Sequence, residues 1–202
     1  MDSVGLNVSS LAAIGAVLMV GIGFGLQNIA QNFISGLILL LERPIRRGDI
    51  VSVAGVKGRV KEIRARSTLI ETRDDVSIIV PNSQFISEQV INDSFSGNVI
   101  REKVDVAVAY GSDTRKVEQV LLEAAEAHSK VQKSPPPRVV FESFGDSSLN
   151  FSLRIWISDI WGRDFIMSDI RFDIDHRFRE NQIQIPFPQR DLHLKSSDIS
   201  LK

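Results

Sequence analysis

Few residues of this chain have the types and spacing that catalysis requires. The 202 residues include no cysteine, which excludes disulfides, thiol catalysis and thiolate-bound metals. The three histidines, His128, His176 and His193, lack the spacing of metal ligands, so surface or packing roles are expected. No phosphate-binding loop or nucleophile–base set is visible. An enzyme is therefore the weakest hypothesis, and no cofactor or metal is expected.

Carboxylates cluster on the last predicted helix, where Asp169 and Asp173 lie four residues apart and share a face. Together with Asp175 they predict an acidic helix surface, which is favoured over a catalytic pair. Trp156 and Trp161 are expected in the core or in a contact between subunits. Functional residues are therefore sought in the other elements of the chain.

Charge is distributed unevenly along the sequence. Residues 3–41 contain no Asp, Glu, Lys or Arg. Residues 43–66 then contain eight basic side chains and only two acidic ones. The basic residues are Arg43, Arg46, Arg47, Lys57, Arg59, Lys61, Arg64 and Arg66. The chain is thus divided into uncharged, basic and acidic parts.

The uncharged run predicts a membrane-embedded helical segment. A bilayer core of about 30 Å is crossed by about 20 helical residues, so residues 3–41 are too many for one upright span. A signal peptide is disfavoured because no positively charged stretch precedes the run and no cleavage site follows it. A buried helix of a soluble domain is disfavoured by the length of the charge-free run. A division near Gln27-Asn28 is predicted.

The first part of this run is dense in small residues, which let membrane helices approach closely. Val20 and Phe24 are larger, lie four residues apart and share one face. A single helix cannot enclose water, so a conduit would require a ring of copies. The small residues are Ala12, Ala13, Gly15, Ala16, Gly21, Gly23 and Gly25.

The second part predicts an amphipathic helix that lies along the membrane interface or packs on a soluble domain. The arginines that follow place this end in the cytoplasm. The apolar stripe is Ile29, Phe33, Leu37, Leu40 and Leu41, and the polar side is Asn28, Gln31, Asn32 and Ser35.

Two soluble modules are predicted after Pro44, which ends the helix. Short strands predict a small barrel, at 50–53, 58–63, 68–73, 76–80 and 86–91. From residue 100 the pattern predicts a strand, a helix to about His128, a hairpin and a helix to about Glu180. This β-α-β-β-α order is that of a ferredoxin-like sandwich that lacks or replaces its last strand. A short strand is predicted at 191–194.

An ordered series of motifs resembles the MscS-like family, the small-conductance mechanosensitive channels. The motifs are GFGLQ at 23–27, NFISG at 32–36, ERPIRRGD at 42–49, GRV at 58–60, PNS at 81–83 and IPFPQ at 185–189.

The resemblance implies a homoheptamer in the inner or plasma membrane, with its C-terminal domains in the cytoplasm. Its subunit would open a non-enzymatic pore under membrane tension and release ions and small osmolytes during hypo-osmotic stress. The implied parts are a pore helix, an interfacial helix, an Sm-like β domain, a ferredoxin-like α/β domain and a C-terminal strand with a tail. These correspond to residues 1–27, 28–43, 44–98, 99–186 and 187–202.

The resemblance also assigns site residues. Val20 and Phe24 fall on the constriction, where they replace the family's commoner leucines. Asn28 stands at the family's helix break in place of glycine, and Gly36 is a second flexible point. The helix-packing residues are Ala13, Ala16, Gly21, Gly23 and Gly25, and the residues for lipid or the cytoplasmic face are Arg43, Arg46 and Arg47.

Two other functions stay open at this stage. Because Sm-like barrels often bind RNA, a membrane-tethered RNA-binding ring is one, although the β-rich stretch offers only Phe85 and Phe95 for stacking. A non-conducting membrane scaffold is the other. The expected partners are further copies of the chain, membrane lipids and permeating solutes, without nucleic acid.

Family members carry at least two membrane spans before the pore helix, so the chain is expected to be a fragment of a longer protein instead of a minimal variant.

Overall fold

The protein is described by a computed structural model, which covers residues 8–95, 97 and 99–190, with residues 8–10 as backbone alone. It contains two compact units, Met1–Gly97 and Asn98–Lys202. The first unit combines a long apolar helix with a small antiparallel sheet, and the second has α/β architecture. The predicted fold class is therefore confirmed.

The first unit begins with one long helix, α1, Val8–Glu42. Its 35 residues span about 52 Å, well beyond a bilayer core of about 30 Å. The predicted division into two helices at Gln27-Asn28 is wrong, because the helix continues through this point. Asparagine lowers helix propensity only modestly, and the Asn32 side chain donates a hydrogen bond of 2.8 Å to the Asn28 carbonyl. The helix stops where Arg43 adopts a positive φ of 53° just before Pro44.

Five strands follow, which are β1 Ile50–Val53, β2 Val56–Ile63, β3 Ser67–Glu71, β4 Ser77–Pro81 and β5 Ile91–Asn92. They form an antiparallel sheet in the order β4-β3-β2-β1-β5. Ala54 and Gly55 both have positive φ, as a two-residue hairpin between β1 and β2 requires. The core of the unit combines apolar residues of this sheet with Leu39 of α1.

The strand predicted at 86–91 is wrong over most of its length. Residues Asn82–Ser87 form a short helix, α2, and β5 retains only Ile91–Asn92. Asn82 and Phe85 are both buried. Two residues three positions apart share a face in a helix but point to opposite faces in a strand, so their joint burial favours the helix.

The second unit contains β6 Ile100–Val108, α3 Thr114–Ala127, β7 Arg138–Phe144, β8 Leu149–Ile157 and α4 Arg163–Glu180. Its sheet is antiparallel in the order β6-β8-β7, and alternate residues of β8 join both helices in one core. The predicted β-α-β-β-α order is thus confirmed. The predicted strand at 191–194 lies outside the described residues.

Helix α3 shows how local chemistry fixes this fold. The Asp113 carboxylate accepts hydrogen bonds from the backbone N–H groups of Arg115 and Lys116, which caps the first turn. The apolar residues predicted to share its inner face are all buried. They are Val117, Val120, Leu121 and Ala124.

The carboxylates of α4 are paired with basic side chains. Asp173 accepts a hydrogen bond of 2.7 Å from Arg177, and this bond raises the pKa of the Arg177 guanidinium above its ordinary value. Asp175 pairs with Arg179 at 2.7 Å. The acidic surface predicted for α4 is therefore largely compensated by the helix's own arginines.

Candidate functional site

Most of α1 is left uncovered by the other described residues of the chain. Every residue from 11 to 31 is exposed, including Val20 at 58% and Phe24 at 73%. Leu11–Glu42 is, over the described residues, the one helix long and apolar enough to cross a membrane. An apolar surface of this extent marks a region that lipid or protein covers.

The small residues of this helix are open to their surroundings. At Gly21, Gly23 and Gly25 an added Cβ would meet nothing within 4 Å, and the same holds for Gly15. Ala13 and Ala16 are exposed as well. The packing of this chain alone therefore requires none of these glycines, and their role in contacts between helices stays a prediction.

The last part of α1 packs on the β domain through one narrow face. This face consists of Asn32, Ser35, Gly36 and Leu39, whose spacing places them together on a helix. Ser35 is 5% exposed and Leu39 is fully buried. We call this face and the residues it contacts the seat of α1.

The apolar stripe predicted for this part of the helix does not form the seat. Its side chains are between 46% and 82% exposed. This part of the helix does pack on a soluble domain, which is one of the two predicted alternatives, but it does so through Asn32, Ser35, Gly36 and Leu39 and not through the apolar stripe. A place of the stripe at the membrane interface stays a prediction. The stripe residues are Ile29, Phe33, Leu37, Leu40 and Leu41.

Gly36 lies where the helix closely approaches the β domain. A Cβ at this position would lie 2.4 Å from the carbonyl oxygen of Ala65 and 2.6 Å from Nδ2 of Asn82. No side chain fits in this space without movement of the backbone. The flexible point predicted here stays a prediction, and the structure gives Gly36 a steric role.

A buried polar network lies next to Gly36, where α1 contacts the β domain. Asn82 is fully buried, and its Oδ1 accepts a hydrogen bond of 2.9 Å from the Thr68 hydroxyl. Its Nδ2 donates one of 2.9 Å to the carbonyl of Arg64. Both ends of the amide are therefore satisfied in a site that excludes water, as buried polar groups require.

Asn32 connects the long helix to the start of α2. Its Oδ1 accepts a hydrogen bond of 3.0 Å from the backbone N–H of Ser83. The residue before α2, Pro81, has no side-chain group to cap the helix. Asn32 therefore supplies the acceptor that the first turn of α2 lacks.

No local pattern in the sequence indicates that these polar residues pack against the β domain. The amphipathic pattern predicts only that Asn32 and Ser35 lie on the polar side of the helix. One signal is the proline before Asn82. Proline has no side-chain acceptor, so a helix that begins at Asn82 needs a capping group from another element, which here is Asn32.

The basic residues predicted for the cytoplasmic face lie directly after the seat. Arg43, Arg46 and Arg47 are exposed and surround a groove of about 490 Å³ at the end of α1. Among the described residues no cluster of three or more histidines or carboxylates is placed to hold a metal ion.

Both units match models of one protein family. Residues 28–94 match the model described as mechanosensitive ion channel, beta-domain. Residues 102–185 match that of the mechanosensitive ion channel MscS, C-terminal. The chain belongs to the MscS family. The first MscS match begins at Asn28 and so includes the whole helical face of the seat.

Individual members of the MscS family are similar over nearly the whole chain. It is 42% identical over 192 residues to the mechanosensitive channel MscK of Escherichia coli strain K12, covering 95% of this chain but 17% of that protein. It is 31% identical to an uncharacterized MscS family protein of Buchnera aphidicola subsp. Schizaphis graminum, covering 96% of this chain and 68% of the relative. The closed-state crystal structure of Helicobacter pylori MscS superimposes with a TM-score of 0.86 at 25% identity, over 96% of this chain and 76% of that one.

Replacing Gly36 with alanine is expected to lower the free energy of unfolding of the first unit by about 1–3 kcal/mol, because the new methyl group meets backbone atoms. Thermal unfolding in detergent micelles measures the change. The matched control is Gly25→Ala on the open part of the same helix, where stability should stay constant or rise slightly. Equal stability of the two variants would contradict the steric role of Gly36.

Replacing Asn82 with alanine is expected to cost about 1–3 kcal/mol, because the Thr68 hydroxyl and the Arg64 carbonyl lose their buried partner. Hydrogen–deuterium exchange should show faster exchange in residues 32–42 as the seat loosens. Ser87→Ala serves as the control, since the Ser87 hydroxyl bonds to the Ser83 carbonyl at the surface. If the amides of residues 32–42 exchange at the same rate in both variants as in the unsubstituted chain, the hydrogen bonds of Asn82 do not stabilise the contact between α1 and the β domain.

Proposed function

We propose that this chain is the pore-forming part of a mechanosensitive ion channel subunit in the cell membrane. The observation that carries the proposal is a long apolar helix, exposed at every residue from 11 to 31, that is seated on an MscS β domain. Such a helix needs a lipid environment or other copies of itself to cover it. Its continuity lets one end sit on the β domain while the other crosses the bilayer.

Several copies of α1 together would enclose the pore, and we propose the heptamer that the family resemblance implies. In this ring the side of α1 with Val20 and Phe24 faces the axis. The two side chains lie one helical turn apart and form two successive apolar rings. A narrow apolar passage expels water and so blocks ions, and a modest widening restores the water and conduction.

Membrane tension favours the state of the channel with the larger area in the membrane plane, and it acts only through the difference between states. The open surfaces at Ala13, Ala16, Gly21, Gly23 and Gly25 would let neighbouring helices slide or tilt without clashes. Asn28 is the proposed bending point, one turn above the seat. The wider pore would release ions and small osmolytes.

The C-terminal unit is proposed to lie in the cytoplasm. Arg43, Arg46 and Arg47 directly follow the apolar helix, and basic residues next to a membrane span favour the cytoplasmic side. The seat keeps the β domain against this same end of the helix.

Replacing Val20 or Phe24 with serine is expected to hydrate the closed constriction and lower the tension at which the channel opens. Patch-clamp recording of reconstituted liposomes under graded suction measures this threshold. Ile22→Ser is the matched control, because Ile22 has a similar depth and exposure (62%) but lies on the opposite side of the helix. Thresholds that stay unchanged in the Val20 and Phe24 variants, or that fall equally in the control, would refute this gate.

A further inference from the structure

A groove of about 490 Å³ lies beside the turn that connects the end of α1 to the start of β1. Its apolar part includes Leu40, Ile45 and Ile63. Its rim includes the three arginines Arg43, Arg46 and Arg47, so apolar and cationic surfaces meet within one site.

The three rim arginines differ from other basic residues of the first unit. Lys57 is paired with Asp93 at 2.9 Å, and Lys61 is paired with Glu71. The guanidinium groups of the rim, by contrast, have no ion-pair partner in the described part of the chain. The one carboxylate that lines the groove, Glu62, is bound by Arg64 at 2.8 Å. The positive charge of the groove is therefore available to a ligand.

Hydrogen bonds hold the turn that carries these arginines in place. The backbone N–H of Arg46 donates to Oδ2 of Asp49 at 2.9 Å. Asn92 of β5 donates from Nδ2 to the same oxygen at 2.8 Å and to the Pro44 carbonyl at 3.2 Å. The arginines thus project from a backbone that is already ordered, which lowers the entropy cost of binding.

We propose that this groove binds an anionic phospholipid, with the phosphate on the arginines and the start of an acyl chain on the apolar surface. Arginine forms paired hydrogen bonds with phosphate oxygens. Exposed Leu40 and, one turn closer to the membrane-directed part of α1, exposed Leu37 continue the apolar surface along the helix. A free phosphate would use only the rim, whereas a phospholipid uses both surfaces. The inference rests on the membrane placement of α1 given under the proposed function.

The test is a binding titration of the full chain in uncharged detergent. Short-chain phosphatidylglycerol, phosphatidylcholine with the same acyl chains, and inorganic phosphate are compared by isothermal titration calorimetry. Phosphatidylglycerol should bind at least about tenfold more tightly than either of the others. Equal binding of the two lipids, or of inorganic phosphate, would overturn the proposal.

Variants then locate the site. Arg43→Gln/Arg46→Gln/Arg47→Gln should weaken phosphatidylglycerol binding about tenfold or more. The control Lys57→Gln/Lys61→Gln/Arg66→Gln removes the same charge from basic residues of the β domain that do not line the groove, and it should change binding less than about twofold. Similar losses in both would indicate attraction by net charge and would overturn the site.

A third variant, Leu40→Ser, tests the apolar half at an exposed position that folding tolerates. It should weaken binding of the lipid and leave any weak binding of inorganic phosphate unchanged. Unchanged lipid binding would overturn the proposal, as would a polyglutamate peptide that binds the rim arginines more tightly than the lipid. Because binding is measured without conduction, a failure here is distinguishable from a failure of the channel function.

Discussion

The close approach of α1 to the β domain at Gly36 is the contact on which the rest of the first unit depends. The helix reaches the Ala65 carbonyl and the Asn82 side chain only because residue 36 has no Cβ. The helix is also uninterrupted from Val8 to Glu42. While α1 is unbent, as it is in this structure, the seat therefore determines the direction in which residues far above it point, and the proposed bend at Asn28 would change that direction. Val20 and Phe24 lie sixteen and twelve residues above Gly36, which corresponds to about 24 and 18 Å along the axis.

Polar side chains make this contact specific. An apolar face could pack on the β domain in several rotations with similar energy, whereas the hydrogen bond of Asn32 with Ser83 and the close contact of Gly36 with Asn82 form in only one rotation. A rotation that removes Asn32 leaves the Ser83 N–H without its acceptor and is therefore costly. The rotation of α1 is thus coupled to the β domain through a few named atoms. A tilt of the helix in the membrane would act on the same atoms.

Much of the fold could be predicted from the sequence because its signals are local. The charge-free run, the apolar spacing of α3 and the hairpin residues Ala54-Gly55 each follow from short-range physical chemistry. The seat could not be predicted, because the rule that a helix buries its apolar face holds for helices whose polar face contacts water. Next to a membrane the apolar stripe can stay outside, and Asn32, Ser35 and Gly36 turn inward. The helix α2 was missed for a related reason, since a buried asparagine is rare and is not read as a core residue.

In the proposed pore, Val20 and Phe24 face the water that several copies of α1 enclose. The chain has no cysteine, so single cysteines can be introduced without a background of reactive thiols. We would measure how a charged, membrane-impermeant methanethiosulfonate reagent changes the current through Val20→Cys, Phe24→Cys and Ile22→Cys channels held open by suction. A rapid change of current is expected at positions 20 and 24 and none at position 22. Rapid modification at position 22 with none at positions 20 and 24 would show that another side of α1 faces the pore.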